Sequence, residues 1–295
     1  MTLLCLLWSL QQVSLKAVAG EASPMLMVAL RSGIALALLA ALMRWRGEKL
    51  GPGLWRPGLV AGTLFAMEFL LVAEALRLTQ ASHVIVFLYT SPLFAALGLH
   101  LRLPAERLNV LQWAGVLLAF GGLSIAFLGG GGTQASAGSR LGDLLALLAG
   151  ASMGATTVTI RCTRLAAAPA TETLAYQLFC AFALLLPASA LTGQWHFEPT
   201  AKVWAHLGFQ ALVVSFASFL AWFWLLRRNL ASQLGAFSFM TPLFGVLLGS
   251  LLLGERPDAS FAAGSAMVLA GIAVVSGHAV LQRRWTRLST AASRA

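Results

Sequence analysis

Runs of about twenty apolar residues, each closed by a short polar stretch, recur along the whole chain. A helix that crosses a bilayer needs about 20 mostly apolar residues. Ten runs meet that length: Thr2–Ala19, Pro24–Met43, Pro57–Leu76, Ala81–Arg102, Asn109–Leu128, Leu141–Ile160, Ala170–Leu191, Val203–Leu226, Ala231–Leu253 and Ser260–Leu281. The pattern predicts an all-α integral membrane protein of ten transmembrane helices. The connections are short and carry turn formers such as Gly51-Pro52-Gly53 and Pro257-Asp258. The longest is a flexible Gly/Ser/Ala linker. Its glycines are not a phosphate loop, because no Lys-Ser/Thr pair follows them.

The runs also repeat. Leu76-Arg77, Ala81-Ser82 and Pro92-Leu93-Phe94 recur as Leu226-Arg227, Ala231-Ser232 and Pro242-Leu243-Phe244, at an offset of 150. Slipped by one residue, Glu106-Arg107, Gly115 and Gly122 recur as Glu255-Arg256, Gly264 and Gly271. The chain therefore divides into a first five-helix repeat (1–128), the linker (129–140), a second repeat (141–281) and a basic tail (282–295). Five is odd, so the second unit lies upside down relative to the first. Inverted repeats are a common build of secondary transporters, with substrate held at the repeat interface. Some channels share the symmetry, so it does not by itself prove transport.

Composition points the same way. Hydrophobic residues make up 59% and charged residues 10%, against about 45–50% and about 25% in soluble domains. The net charge of +10 comes from residues in short loops rather than from a basic face, which argues against nucleic acid as a partner. On the side of the C-terminal tail lie Arg44, Arg46, Lys49, Arg56, Arg102, Arg107, Arg161, Arg164, Arg227, Arg228, Arg283, Arg284, Arg287 and Arg294. The opposite side has Lys16, Arg77, Arg140, Lys202 and Arg256. Fourteen against five predicts a bacterial-type inner membrane protein with both termini in the cytoplasm. Ala17-Val18-Ala19 has the form of a signal cleavage site, but no Lys or Arg precedes it and cleavage would break the five-plus-five pattern. The first run is read as a retained span.

Candidate chemistry concentrates in spans four and nine. Helical spacing puts His83, Phe87, Ser91 and Phe94 along one stripe, and the offset maps them onto Gln233, Phe237, Thr241 and Phe244. Pro92 and Pro242 each remove a backbone donor in mid-span and mark candidate hinges. The stripes are read as the wall of a substrate cavity; packing between helices is the competing reading. Arg31 and Glu68 lie within spans, about 10 Å and about 12 Å below the same side at 1.5 Å per residue. Either they pair and hold spans two and three together, or Glu68 faces the cavity to bind an ammonium or carry a proton. Ser9, Gln12 and Lys16 share one side of span one, although Lys16 can snorkel outward. Ser152, Thr156 and Thr159 form a comparable stripe in span six. Trp222 is a candidate stacking surface, and Trp224 reads as an interfacial anchor. Glu74 and Arg77 read as a surface pair, and Glu106 and Glu255 as carboxylates at the starts of spans five and ten.

These residues resemble the drug/metabolite transporter superfamily. The resemblance rests on Trp8-Ser9, Leu30-Arg31, the two Pro-Leu-Phe triplets, Gln112-Trp113-Ala114-Gly115 and Leu253-Gly254-Glu255-Arg256. Within it the chain is similar to the ten-span EamA exporters. It departs at Leu103-Pro104-Ala105-Glu106, where Leu-Gly-Glu is usual, and at Gln11-Gln12, where an Asn is common. The resemblance implies export of small metabolites, above all amino acids and aromatic ones among them, by alternating access. A passive channel and a membrane-embedded transferase are the alternatives. The histidines show no metal-ligand spacing, the three cysteines no CxxC pair, and no Gly-x-Ser-x-Gly elbow occurs. No catalytic residue, metal or cofactor is expected. The expected partners are a small-molecule substrate and the lipid bilayer, and a monomer is compatible with the pattern.

Overall fold

The computed structural model describes residues 1–104, 107–128, 137–228 and 240–292. Among them every regular element is helical, and one isolated antiparallel bridge, Ala22 with Phe197, ties two loops together. In chain order the helices are α1 (Thr2–Ala17), α2 (Pro24–Arg46), α3 (Trp55–Leu78), α4 (Ala81–Leu88), α5 (Ser91–Arg102), α6 (Val110–Leu128), α7 (Ala137–Arg161) and α8 (Ala170–Leu191). Then follow α9 (Ala201–Gly208), a π-helical stretch over Phe209–Ser218, α10 (Phe219–Arg228), α11 (Met240–Leu253) and α12 (Ala259–Ala292). Six helices among the described residues are long and apolar enough to cross a membrane: Pro24–Arg46, Trp55–Leu78, Ala81–Arg102, Gly138–Arg161, Ala170–Leu191 and Ala201–Trp222. Shorter apolar helices cover Val110–Ala126, Met240–Leu253 and Ala259–Val275.

Three elements differ from the sequence expectation. Span four breaks rather than kinks: α4 stops at Leu88, and α5 starts at Ser91 with Pro92 in its first turn. Proline is tolerated there because that N–H has no helical acceptor. At the break the Thr90 hydroxyl and backbone N–H both donate to the Phe87 carbonyl, at 2.6 and 3.2 Å, which keeps that polar group paired inside a bilayer. The linker is shorter than expected, since α7 already begins at Ala137. The basic tail continues α12 as helix to Ala292, where Leu, Gln and Arg favour the helix and no proline interrupts it.

Close approach of helix backbones holds the bundle together. In lipid the hydrophobic effect does not drive helices onto one another, so small residues and van der Waals contact do. Helix α6 lies antiparallel to α12, with Gly115 against Gly271 and Gly122 against Gly264. A Cβ on Gly122 would sit 2.6 Å from the Gly264 carbonyl oxygen, and one on Gly115 2.8 Å from that of Gly271. The repeat maps Gly115 onto Gly264 and Gly122 onto Gly271, so each contact maps onto the other. Such a contact is isologous. Elsewhere α3 packs along α7 and α8, α2 along α8, and α1 along α11, while α4 and α5 lie on α7.

One end of the bundle is clamped at the turn between α3 and α4. The Lys16 ammonium donates to the carbonyls of Leu76 and Thr79 and so caps the end of α3. Glu255 accepts from the backbone N–H groups of Ala81 and Ser82, at 2.5 and 2.9 Å. It does sit at a positive helix end, but that of α4 rather than of the helix it precedes in sequence. At the same end, the Lys202 ammonium and the Thr200 hydroxyl hold the Glu21 carboxyl below the usual carboxylate range. The glycine contact predicts a sharp asymmetry between neighbours. Gly122→Leu must push α6 from α12 and should cost about 1–3 kcal/mol, whereas Gly121→Leu meets only the Met267 methyl, at 3.7 Å, and should be near neutral. Melting curves of the two purified variants check this; equal melting would refute the contact.

Candidate functional site

The deepest cation is held by an amide. Arg31 is 2% exposed, and its Nη1 donates to Gln210 Oε1 at 2.6 Å. Gln210 Nε2 in turn donates to the Gln11 carbonyl at 2.8 Å. The guanidinium also lies over the Phe69 ring, 4.4 Å from its centre. Arg31 and Gln210 together thus join α2, α3, α1 and the start of the π-helical stretch. The direct Arg31–Glu68 pairing allowed by the sequence is not formed: no carboxylate among the described residues lies within 4.0 Å of Arg31, though Glu68 stays within its electrostatic reach.

Glu68 is 5% exposed, and no described residue hydrogen-bonds its carboxyl. A buried carboxylate without a partner is costly, so the group has to be met by a proton or a cation. Other unsatisfied polar atoms lie on the helices nearby. Gln12 Oε1 on α1 and Thr241 Oγ1 on α11 are buried without a partner, as is Arg31 Nε. Ser9 lies between α1 and α11, its hydroxyl 2.8 Å from the Cys5 carbonyl and 2.6 Å from that of Thr241. Ser9, Gln12 and Thr241 are therefore gathered on two packed helices, with two oxygens left to accept from something else.

The remaining candidates are distributed differently. His83 is engaged: its Nδ1 lies 3.0 Å from Asp143 Oδ1, and its ring stacks on Phe261 at 3.7 Å between centres. Asp143 also accepts from the Thr79 hydroxyl at 2.7 Å. Phe87 is fully buried in the main core, edge-on to Phe261, so in this conformation it packs helices rather than walling a cavity. Ser91 opens α5 beside Gly154 of α7. Trp222 meets Trp8 edge to face at 5.5 Å, and Trp8 Nε1 donates to the Ser218 hydroxyl at 3.1 Å. Pro92 stands at the helix break, and Pro242 sits in the first turn of the described part of its span, one residue past Thr241. Gln233 and Phe237 lie outside the described residues. The stripe on span six is structural, since Ser152 donates to the Leu64 carbonyl of α3 and Thr156 and Thr159 donate within their own helix. Glu74 does pair with Arg77, at 2.9 Å, and also accepts from Gln194.

Sequence reasoning passed over Gln210 and Asp143. Both are polar groups inside apolar runs, a signal as strong as the one that singled out Glu68. Aromatic neighbours drew attention away from the first, and nearness to a span end from the second.

The apolar helical bundle is that of a membrane protein, and the comparisons give its class. The EamA-like transporter family matches residues 1–128 and 140–277, and the chain belongs to that family. An uncharacterized transporter, sll0355, of Synechocystis is 27% identical over 297 residues, covering 92% of this chain and 86% of that protein. An uncharacterized transporter of Archaeoglobus fulgidus is 25% identical over 213 residues, covering 71% of this chain and 70% of the relative. The putative permease-like protein YdzE of Bacillus subtilis is 41% identical over 64 residues, 22% of this chain and 82% of its own. A solved crystal structure of a protein shares the fold with a TM-score of 0.67, at 23% identity, over 96% of this chain and 95% of the other.

The amide contact has a measurable consequence. Gln210→Leu strips Arg31 of its acceptor and should destabilise the protein by about 1.5–3 kcal/mol, as for hydrogen bonds to charged groups. The double variant Arg31→Met/Gln210→Leu should recover much of that loss, because no guanidinium is left buried without its acceptor. Thermal unfolding of the two variants decides it; a double variant no more stable than Gln210→Leu would contradict the assignment.

Proposed function

We propose that this protein is a secondary exporter of small metabolites, amino acids foremost and aromatic ones among them. It works by alternating access between two inverted five-helix units, in an inner membrane with both termini cytoplasmic. The break between the two family-matched segments falls on 129–139, close to the boundary of the sequence repeat. The antiparallel, self-mapping glycine contact of α6 with α12 supports a pseudo-two-fold axis in the membrane plane.

The observation that carries the functional reading is the unpartnered Glu68 carboxyl. An ionisable group inside a span is a functional site by default. The electrostatic neighbour of Glu68 is a guanidinium already hydrogen-bonded to Gln210, and the unsatisfied Thr241 hydroxyl and Gln12 amide oxygen are assigned to the same proposed wall. An ammonium is the complement of a carboxylate with two neutral acceptors, so a substrate bearing an amine fits. Ser9 and Trp222 extend the proposed wall on either side of α1. His83, Phe87 and Ser91, with Gln233 and Phe237, belong to the same proposed wall, exposed when span four shifts at its Tyr89–Thr90 break; Pro92 and Pro242 serve as its hinges. No cofactor enters the cycle, and the driving force is a proton gradient or the substrate gradient itself.

The experiment is uptake into liposomes by purified protein, across an amino acid panel, with and without an imposed pH gradient. Saturable uptake of at least one amine-bearing substrate is expected. Glu68→Gln should fold normally and lower that uptake by at least about tenfold, since a contact between charged groups is worth about 1.5–3 kcal/mol. Unsaturable flux would favour a channel, and a fully active Glu68→Gln across about pH 5–8 would remove Glu68 from the site.

A further inference from the structure

At the opposite end from the Lys16–Glu255 clamp, the last turn of α2 and the start of α8 enclose a groove of about 440 Å³. That is within the roughly 300–1,000 Å³ of ligand pockets. Its floor is apolar, formed by Leu36, Ala40, Met43 and Ala175, and its mouth carries Arg44, Lys49 and Glu48. Trp45 and Leu50 beside the mouth are 83% and 54% exposed, an aromatic and aliphatic rim suited to the headgroup level of a bilayer.

The electrostatics of the mouth favour an anion. Glu48 is spoken for: one oxygen accepts from Thr171 at 2.6 Å, and the other lies 3.8 Å from Arg46. Two of the carbonyls that end α2 are satisfied as well. Gly47, with φ at +68°, donates to the Arg44 carbonyl and the Glu48 N–H to that of Met43, so the negative helix end is muted. Among the described residues neither Arg44 nor Lys49 has a carboxylate partner within 4.0 Å. Two cations without a carboxylate partner thus stand over an apolar trough at the end of a helix long enough to cross a bilayer, where headgroups lie.

We propose that this groove is a binding site for one anionic glycerophospholipid. Its phosphate is held between Arg44 and Lys49, and one acyl chain lies along Leu36, Ala40, Met43 and Ala175. Basic pockets between membrane helices take such headgroups, and the two cations give a preference for an anionic over a zwitterionic lipid that the apolar floor alone does not. Because α2 carries Arg31 as well, an occupant here braces the helix that holds the central cation. The proposal needs the helices to span a bilayer but is independent of the substrate, the orientation and the direction of transport.

The test uses delipidated full-length protein in detergent, titrated with phosphatidylglycerol or with phosphatidylcholine of the same acyl chains, and read by thermal unfolding and by native mass spectrometry of bound lipid. Phosphatidylglycerol should raise the melting temperature and remain bound at one copy, with a preference of about tenfold or more over phosphatidylcholine, as two interfacial cations imply. Arg44→Gln/Lys49→Gln should melt as the parent does without lipid and lose that preference, and Arg102→Gln, an exposed charge at the same end, should keep it. Inorganic phosphate alone should not raise the melting temperature. Equal binding of the two lipids, a preference that survives in the double variant, or phosphate matching the lipid would each overturn the proposal. None of these readouts requires transport, so failure here leaves the exporter reading untouched, and the reverse holds too.

Discussion

A guanidinium buried among apolar helices has to be held, and how Arg31 is held organises the centre of this bundle. A carboxylate would neutralise it, but its nearest acid, Glu68, stands off, and the hydrogen bond goes to the neutral amide of Gln210. Gln210 passes the tie on to the Gln11 carbonyl. Two further links flank it: Ser14 with His206 at 2.7 Å, and Trp8 with Ser218 at 3.1 Å. The three rungs join α1 to the span that runs from α9 to α10, and they bracket the π-helical stretch between them. π-helical turns concentrate at functional sites, where they re-aim side chains. Because the hydrogen bond of Arg31 goes to an amide, Glu68 is left without a hydrogen-bond partner among the described residues.

The bilayer allows polar groups only where partners or cavities receive them. The fold obeys this at the Tyr89–Thr90 break, where the Thr90 hydroxyl and N–H pair the Phe87 carbonyl, and at the α3–α4 turn, where Lys16 and Glu255 cap two helix ends. The exceptions are therefore informative. Gln12 Oε1 on α1, Thr241 Oγ1 on α11 and the Glu68 carboxyl on α3 lack hydrogen-bond partners among the described residues. Packing alone gives no reason to keep unsatisfied acceptors there.

Much of this was legible from residue pattern. Length and hydropathy mark the spans because the bilayer fixes both, and the membrane-protein class follows from them; the family was legible only as a resemblance carried by motifs such as the two Pro-Leu-Phe triplets. The paired glycines were visible as repeats, but their mutual contact was not, since spacing says which residues are equivalent and not which ones touch. Glu255 shows the same limit: the positive helix end it prefers belongs to α4, remote in sequence. Pro92 marks a hinge by sequence, but proline is equally at home in the first turn of a new helix, which is where the structure puts it. Depth along the helices placed Arg31 and Glu68 at one level, but depth is blind to rotation, and rotation turned Arg31 toward Gln210.

The central claim is that two units of five spans lie inverted in the membrane, with this polar centre between them. In a cysteine-free background, with Cys5, Cys162 and Cys180 replaced by serine, single cysteines at Pro52 and His196 report equivalent loops of the two units. Labelled with an impermeant thiol reagent in intact cells, the cysteine at 196 should react and the one at 52 should react only after the membrane is opened. Reaction of both from the same side would contradict the inverted arrangement.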